Sequence, residues 1–286
     1  MTDNQELPYS PFLSEQPPQD EAEVRARHES NRAAWNEGAA HYTERLDQAI
    51  EFLRAGKSNL HPVERRNLGD LRTWCKVAIH LQCASGRDTL SLWNEGVEKV
   101  IGVDISDVHI ENARKMTAAL GAPAEWYRCD VLDTPHELDG TADLVYTGRG
   151  ALTWIQDLNP YVEVVARLLK PGGVYHVLDD HPVNNLFDQE SEELVYSGYS
   201  YFGHFGSSQG WPTSYIGQLS IPVEKLSRQY EALWNLMDIH NALVRAGLTV
   251  EYLGEHLEPY WDPFPNLKPE LKEKIPQTFS MLARKK

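Results

Sequence analysis

Two aspartates, each at the end of a predicted strand, are the residues of this chain best suited to bind a ligand. Asp104 follows the run Lys99-Val-Ile-Gly-Val, and Asp130 follows Glu125-Trp-Tyr-Arg-Cys. A carboxylate at the end of a buried strand can accept hydrogen bonds from both hydroxyls of a ribose, which is the role we predict for Asp104. Asp130 is placed to accept a hydrogen bond from an exocyclic amine such as adenine N6.

A turn of small residues precedes both aspartates in the chain. The apolar run Val77-Ala-Ile-His-Leu ends at Gln82, and Cys83-Ala-Ser-Gly follows it. Small side chains let a ligand pass close to the backbone. Together with Asp104 and Asp130, this turn predicts a site for a cofactor that contains adenosine.

The same turn argues against a dinucleotide. A G-x-G-x-x-G loop brings a helix N-terminus onto the pyrophosphate, whereas Gly86 is the only glycine of this turn. The carboxylate of Asp88 would repel a pyrophosphate, but an amino-acid ammonium or a sulfonium would tolerate it. We therefore place Asp88 and Thr89 in a cofactor site, and a dehydrogenase that uses NAD is the weakest interpretation.

Alternating strand and helix patterns must hold these side chains in place. The short links between them predict a doubly wound, mostly parallel α/β sheet with helices on both faces. In such a sheet the ligand lies beyond the carboxyl ends of the strands. We therefore expect Gln82–Gly86, Asp104, Asp130 and Thr147–Arg149 to lie close together. Helix caps are expected at Asp88 and Ser106, helices over 21–52 and after Pro160, and strands over 77–82, 99–103, 125–129, 142–147, 174–178, 248–253 and 278–283.

The chain divides into an arm, a helical cap and a main α/β domain. Residues 1–20 are predicted to be a flexible arm, residues 21–74 an N-terminal helical cap, and residues 75–286 the main domain. Within it, residues 181–230 break the alternation of strand and helix and are rich in aromatic residues, glycine and serine. Loops this long inside compact domains are usually functional, so we interpret this segment as a lid over a substrate. His181, which follows the fifth strand, is a candidate general base.

The composition excludes several classes of partner. Lys and Arg number 27 against 42 Asp and Glu, a formal net charge of −15. A surface this negative repels phosphate backbones, so we expect no nucleic-acid partner. No apolar run reaches the roughly eighteen residues of a membrane span, and no signal-peptide pattern is present, so we expect no membrane partner. Cys75, Cys83 and Cys129 lack metal-ligand spacing, which favours reduced thiols, a cytoplasmic location and no bound metal.

Five motifs, in order along the chain, resemble those of class I S-adenosylmethionine-dependent methyltransferases. They are IHLQCASGRDTLSL, VIGVDIS, EWYRCDVLD, ADLVYTGRGALTWIQD and RLLKPGGVYHVLDDHP. The segment NRAAWNEGAAHYTER and the end QTFSMLARK are also similar, so the resemblance covers roughly residues 30–286. The first motif departs from the usual Asp/Glu-x-Gly-x-Gly, because His80 or Gln82 replaces the acid and Cys83 or Ala84 replaces the first glycine.

The resemblance implies a seven-stranded sheet of order 3-2-1-4-5-7-6, in which only the seventh strand is antiparallel. Residues 248–254 and 277–284 would be strands six and seven. It also implies S-adenosyl-L-methionine as cofactor, S-adenosyl-L-homocysteine as product, and in-line transfer of a methyl group to an oxygen or nitrogen atom of a small molecule. The protein would be a monomer or a homodimer. A non-catalytic binder of the cofactor and another nucleotide-using transferase on the same fold stay open as alternatives.

The resemblance also assigns roles to single residues. Ile105 would pack on the adenine, Val131 would meet its edge beside Asp130, carbonyls near Thr147 and Gly148 would take the methionine ammonium, and Tyr42 would reach its carboxylate. The predicted cofactor-binding residues are Tyr42, Gln82, Cys83, Ala84, Ser85, Gly86, Asp88, Thr89, Asp104, Ile105, Ser106, Asp130, Val131, Thr147 and Gly148. The predicted substrate-binding residues are Trp35, Trp154, Tyr201, Phe202, His204 and Trp211.

Overall fold

Two β-sheets organise the computed structural model, which describes residues 10, 12–203, 205–211, 213–217 and 219–286. A short first strand, β1 (Leu13–Glu15), belongs to the smaller sheet. The strands of the larger sheet are β2 (Val77–Leu81), β3 (Lys99–Asp104), β4 (Ala124–Arg128), β5 (Ala142–Thr147), β6 (Leu169–Asp180), β9 (Leu248–His256) and β10 (Thr278–Lys285). The two strands between β6 and β9, β7 (Phe205–Gln209) and β8 (Arg228–Ala232), complete the smaller sheet.

The larger sheet has the order β4-β3-β2-β5-β6-β10-β9. Its first five members pair in parallel, and β10 runs antiparallel to both β6 and β9. The predicted doubly wound, mostly parallel seven-stranded sheet, with its last strand antiparallel, is confirmed.

Helices cover both faces of the larger sheet. They are α1 (Glu21–Gly38), α2 (Ala40–Glu44), α3 (Leu46–Arg54), α4 (Pro62–Leu68), α5 (Arg87–Asn94), α6 (Asp107–Leu120), α7 (Leu158–Leu168), α8 (Thr213–Ile216), α9 (Leu236–Arg245) and α10 (Pro269–Lys272). Apolar side chains of α3, α4, α5 and α6 pack on one face, and those of α7 and α9 pack on the other. Among the described residues, no helix has the length and apolar character needed to cross a membrane.

Strand residues alternate between these two apolar layers. In β2, Ile79 and Leu81 pack toward α7 and α9, while Ala78 packs toward the opposite layer. Because both faces of a parallel sheet are covered, its strands are continuous apolar runs rather than alternating ones. This is why the sequence located the central strands to within a few residues.

Helix boundaries agree with the sequence in some places and differ in others. The hydroxyl of Ser106 accepts a hydrogen bond from the backbone N–H of His109 at 3.2 Å and caps α6, as predicted. Asp88 was expected to cap α5, but Gly86 occupies the cap position and Asp88 lies in the first helical turn. The segment predicted as one helix over 21–52 is divided into α1, α2 and α3.

The aromatic segment 181–230 contributes to the smaller sheet. Its strand β7 pairs antiparallel with both β8 and β1, and β1 lies within the segment predicted as an arm. The contact is close at Gly206, where a Cβ atom would lie 1.9 Å from Cζ of Phe12. Asn31 of α1 joins this sheet to the rest of the molecule, since its side chain bonds to both the N–H and the carbonyl of Tyr230 at 2.7 and 2.8 Å.

Candidate functional site

A cavity of about 770 Å³ lies at the carboxyl ends of the parallel strands, beneath the N-terminal helices. Of the predicted cofactor-binding residues, all except Thr89, Ser106 and Thr147 line it. The side chains of those three residues serve the fold. The hydroxyl of Thr89 pairs with His80, that of Ser106 caps α6, and that of Thr147 pairs with Tyr161 inside the core. Twelve of the fifteen predicted cofactor-binding residues therefore lie at one cavity.

The turn after β2 has a backbone conformation that glycine usually adopts. Gln82 and Ala84 have φ angles of +57° and +45°, and Gly86 has +81°. For a residue with a side chain, the left-handed region costs about 1–2 kcal/mol. The glycines of the Asp/Glu-x-Gly-x-Gly motif therefore correspond to Gln82 and Ala84, and the acid corresponds to His80. This corrects the assignment of Gln82 to the acid and that of Cys83 or Ala84 to the first glycine, since Gln82 stands at the first glycine and Ala84 at the second.

His80, in the position of the acid, is an uncharged imidazole. Its ring is 3% exposed, its Nδ1 pairs with the hydroxyl of Thr89 at 2.8 Å, and burial lowers its pKa to about 4. Its Nε2 has no hydrogen-bond partner and faces Gly148, where a Cβ atom would lie 3.1 Å away. A buried acceptor without a donor, Oε1 of Gln82, belongs to the same cavity wall.

Asp104 is held beside the turn by backbone hydrogen bonds. Its two carboxylate oxygens accept from the N–H groups of Ala84 and Ser106, each at 2.8 Å. Burial raises the pKa of Asp104 to about 6, against the effect of these hydrogen bonds. A carboxylate oxygen has two lone pairs, so each still has capacity for a hydroxyl in the cavity.

Asp130 is held by two residues of α1 that the sequence did not single out. One carboxylate oxygen bonds Nδ1 of His28 at 2.8 Å and lies 3.1 Å from the guanidinium of Arg25. Nε2 of His28 accepts from the backbone N–H of Gln156, so the ring donates its Nδ1 proton to Asp130. Burial raises the pKa of Asp130, but the hydrogen bonds from His28 and from the N–H of Leu132, together with the charge of Arg25, outweigh burial and hold this pKa below its ordinary value.

Asp88 does not stand free in the cavity. Its carboxylate forms an ion pair with the guanidinium of Arg149 at 2.5 Å and accepts a hydrogen bond from Asn59. Burial raises the pKa of Asp88, but the opposing effects of the Arg149 charge and of the hydrogen bond from Asn59 are larger together. The pKa of Asp88 is therefore below its ordinary value. Arg149 lines the cavity as well, and it is a cation that the sequence analysis did not assign.

A second cavity, of about 560 Å³, adjoins the first. Trp154, Tyr215, Tyr260 and Trp261 line both cavities. Two of the predicted substrate-binding tryptophans, Trp154 and Trp211, belong to its wall, and Trp35 packs against Trp211 with ring centroids 4.4 Å apart. Tyr215 of α8 lies within the segment predicted to be a lid, although no role was predicted for this residue. Tyr260 and Trp261 were not predicted, since nothing in their local sequence points to the strand ends.

Several predicted substrate or catalytic residues lie elsewhere. Tyr201 and Phe202 line neither cavity, and Phe202 is 83% exposed. His204 lies outside the described residues. His181 also lines neither cavity, because its Nε2 pairs with Glu255 at 2.8 Å and its Nδ1 accepts from the N–H of Val183. The structure gives His181 the role of a cap rather than that of a general base.

Burial keeps all three cysteines as thiols. Burial raises the pKa of Cys75 to about 12 and that of Cys129 to about 11, and it raises the pKa of Cys83 well above its ordinary value. Cys83 lines the first cavity with 2% of its surface exposed. These thiols are poor nucleophiles, since the thiolate is the reactive form.

A family model described as a methyltransferase domain matches residues 78–173. This segment is similar to a methyltransferase domain. It contains the turn after β2 together with Asp104 and Asp130, whereas α1 and most of the second cavity's wall lie outside it. No curated protein sequence matches the chain.

Solved structures with the same fold extend the similarity beyond residues 78–173. An S-adenosylmethionine-dependent methyltransferase from Mesorhizobium loti is 22% identical, with a TM-score of 0.56 over 78% of this chain and 96% of that one. A putative S-adenosylmethionine-dependent methyltransferase from Listeria monocytogenes is 18% identical, with a TM-score of 0.56 over 78% and 95%. The geranyl diphosphate C-methyltransferase of Streptomyces coelicolor is 15% identical, with a TM-score of 0.52 over 78% and 79%. At identities of 15–22%, the similarity to these structures shows a shared fold and nothing more specific.

Proposed function

We propose that this protein is an enzyme that transfers the methyl group of S-adenosyl-L-methionine to an oxygen or nitrogen atom of a small molecule. The observation that carries this proposal is the convergence of three strand ends on one cavity. The turn at Ala84, the carboxylate of Asp104 and the carboxylate of Asp130 surround it, and a second cavity opens beside it.

The residues of the first cavity fit the cofactor at both of its ends. Asp104 would accept from the ribose hydroxyls, Ile105 and Val131 would flank the adenine, and Asp130 would meet its amine. At the other end, Oε1 of Gln82 is a buried acceptor without a donor, and the unpartnered Nε2 of His80 is a second one when Nδ1 carries the ring proton. Buried acceptors of this kind call for a donor, and the methionine ammonium supplies three N–H groups.

Arg149 and Tyr42 lie where a carboxylate group would need partners. Both line the first cavity, and burial raises the pKa of Tyr42 to about 12, so its hydroxyl remains a donor at neutral pH. We propose that they bind the methionine carboxylate, with Arg149 supplying the positive charge. The ion pair of Arg149 with Asp88 would keep the guanidinium in place.

The chain's main contribution to the transfer is alignment. When bound, the cofactor supplies a sulfonium that is already a good leaving group, so little covalent help is needed. Holding two reactants in line converts a bimolecular step into an effectively unimolecular one. We propose that Trp154, Tyr215 and Tyr260, which line both cavities, form the passage where acceptor and methyl group meet.

Isothermal titration with S-adenosyl-L-homocysteine tests the proposal, and NAD is the control. We expect micromolar binding of the first and none of the second. A screen of methyl acceptors would then separate an enzyme from a non-catalytic binder. A protein that binds NAD in preference to adenosylhomocysteine would refute the proposed function.

A further inference from the structure

The second cavity has a wall of one charge sign. Its described lining residues include five carboxylates and no Lys, Arg or His. The acids are Asp179, Asp180, Asp188, Glu190 and Glu231. The first cavity differs, because Arg45, Arg87 and Arg149 contribute to its lining. Apart from any contribution of the cofactor, the second cavity therefore favours a positively charged ligand and disfavours an anion.

The five carboxylates are not equivalent. Asp179 is fully engaged, since its oxygens accept from the backbone N–H groups of Gly150, Ala151, Leu152 and Asp180. Asp188 and Glu190 are exposed and stand at the rim. This leaves two half-buried carboxylates on the inner wall with free lone pairs, Asp180 and Glu231.

Asp180 stands next to the passage between the cavities. Its oxygens accept from the hydroxyl of Tyr260 at 2.6 Å and from the indole N–H of Trp261 at 3.0 and 3.1 Å, and both partners line the two cavities. Glu231 lies further along the wall on β8, where its hydrogen-bond partners include the hydroxyls of Ser208, at 3.3 Å, and of Thr153. A cation bound to Asp180 would therefore lie beside the residues that line both cavities.

Asn184 gives an independent indication of a hydrogen-bond donor in the ligand. It is 2% exposed and lines the second cavity. Its amide N–H donates to the carbonyl of Gln277 at 2.9 Å, which fixes the orientation of the amide, and its Oδ1 has no partner. A buried acceptor left without a donor costs about 1–3 kcal/mol, so an N–H group of a ligand would satisfy it.

The remaining wall suits an organic cation better than a metal ion. Trp154, Trp211 and Trp234 line the cavity, and aromatic faces attract cations as well as apolar groups. Among the described residues, no three His, Cys, Asp or Glu side chains are grouped so that they could hold a metal ion. The negative charge is thus spread along an aromatic wall rather than focused on one point.

We propose that the second cavity binds the methyl acceptor as a protonated amine on an aromatic or apolar body, with its nitrogen held by Asp180 and Glu231. This inference rests on the methyltransferase function proposed above and names the class of its acceptor. The nitrogen atom, rather than an oxygen atom, receives the methyl group.

The methyl transfer needs no reactant other than the amine, the cofactor and the Asp180 carboxylate. The bound ammonium gives one proton to the Asp180 carboxylate, and the freed lone pair attacks the methyl carbon. The new N–C bond forms as the C–S bond breaks and its electron pair returns to sulfur. The products are the methylated ammonium and adenosylhomocysteine, and Asp180 returns its proton to water.

Two matched series of ligands test the charge preference. Tryptamine, tryptophol and indole-3-propionate share one ring and differ in charge, as do phenethylamine, 2-phenylethanol and 3-phenylpropionate. Each is titrated calorimetrically into the protein saturated with S-adenosyl-L-homocysteine. We expect the amine to bind tightest in both series, and Glu231→Gln to weaken amine binding about tenfold, or about 1.4 kcal/mol. Glu98→Gln, at an exposed position remote from both cavities, is the control and should have no effect.

The outcomes separate this inference from the proposed function. If adenosylhomocysteine binds but the amine is no tighter than the alcohol and the acid in either series, the amine proposal is wrong and the methyltransferase proposal stands. Failure of all six ligands to bind counts as the same result. If adenosylhomocysteine itself does not bind, both proposals fall. An equal loss of affinity in Glu231→Gln and Glu98→Gln would mean that the charge of the whole molecule, rather than the cavity, attracts the amine.

Discussion

At the scale of single residues, each acid of the first cavity is already held by partners that set its direction. Asp104 is fixed by two backbone N–H groups and Asp130 by His28 and Arg25. Side chains held in this way lose little conformational freedom when a ligand arrives, which favours tight binding. Replacing either the acid or its partner should therefore weaken ligand binding.

Replacing Asp104 tests the ribose assignment. We expect Asp104→Ala to weaken adenosylhomocysteine binding at least about tenfold, because two hydroxyls lose their acceptor and the turn at Ala84 loses its anchor. Calorimetry measures the affinity. Asp107→Ala, an exposed acid at the start of α6, is the matched control and should retain binding. An unchanged affinity in Asp104→Ala would refute the ribose-binding role of Asp104.

His28 orients Asp130 from a position 102 residues away in the chain. We expect His28→Ala to weaken adenosylhomocysteine binding several-fold, since the Asp130 carboxylate would lose a charge-assisted donor and turn away. His28→Asn keeps an N–H group near the position of Nδ1 and should restore part of the affinity. Equal affinities of the two variants would show that His28 acts only through packing.

Asp180 should make amine binding depend on pH. Burial and the charge of Asp179 raise the pKa of Asp180 to about 7. The other groups that face it are the hydroxyls of Tyr260 and Tyr215 and the indole of Trp261. An alkyl ammonium titrates near about 10, so raising the pH from about 6 to about 8 ionises Asp180 while the ligand keeps its charge.

The affinity for tryptamine should therefore rise several-fold across that interval, and Asp180→Asn should flatten the profile. Calorimetry at each pH, in the presence of adenosylhomocysteine, gives the measurement. An affinity that falls as the pH rises would contradict the role given to Asp180.

The acids of the first cavity could be predicted from sequence because their type and position at strand ends restrict what they can do. Their partners could not. His28 and Arg149 meet the acids through tertiary packing, and no local pattern distinguishes them from other polar residues of helices and loops. The same limit explains His181, whose place after a strand suggested catalysis while its ring bonds to Glu255 on β9.

At the scale of elements, the smaller sheet closes the second cavity. Strand β1 brings Phe12 to the cavity wall, and β7 and β8 bring Ser208 and Glu231. The sequence predicted the larger sheet well because continuous apolar runs mark its strands. It missed β1, which has three residues, no apolar run, and a partner strand about 190 residues further along the chain.

Gly206 offers a test of this closure. In Gly206→Ala the new Cβ would lie 1.9 Å from the Phe12 ring and would displace it from the wall. We expect weaker tryptamine binding with an unchanged affinity for adenosylhomocysteine, both measured by calorimetry. The double variant Phe12→Ala/Gly206→Ala relieves the clash and should bind tryptamine no worse than Phe12→Ala alone. Loss of adenosylhomocysteine binding in Gly206→Ala would mean that β1 and β7 also support the first cavity.

At the scale of the whole molecule, α1 connects parts that are far apart in the chain. His28 bonds to Asp130 after β4 and to Gln156 after β5, and Asn31 bonds to β8. A ligand enclosed by these contacts stabilises the state in which they are formed. The helical cap, the larger sheet and the smaller sheet should therefore respond together to the cofactor.

Hydrogen exchange can follow this response. We expect adenosylhomocysteine to slow exchange of the amides of α1, since opening of this helix would require release of the ligand. The amides that join β9 to β10, at the far edge of the sheet, serve as an internal reference and should change little. Equal slowing in α1 and in that edge would indicate general stabilisation rather than a specific link through α1.

The low reactivity of the three native thiols makes the protein suited to site-specific labelling. A maleimide dye reacts with thiolates, and burial holds Cys75, Cys83 and Cys129 in the protonated form. A single cysteine introduced at the exposed rim of the second cavity, as in Glu190→Cys, would thus carry the dye almost alone. Its emission would report the arrival and departure of an acceptor in real time, without a radioactive methyl group and without knowledge of the natural substrate.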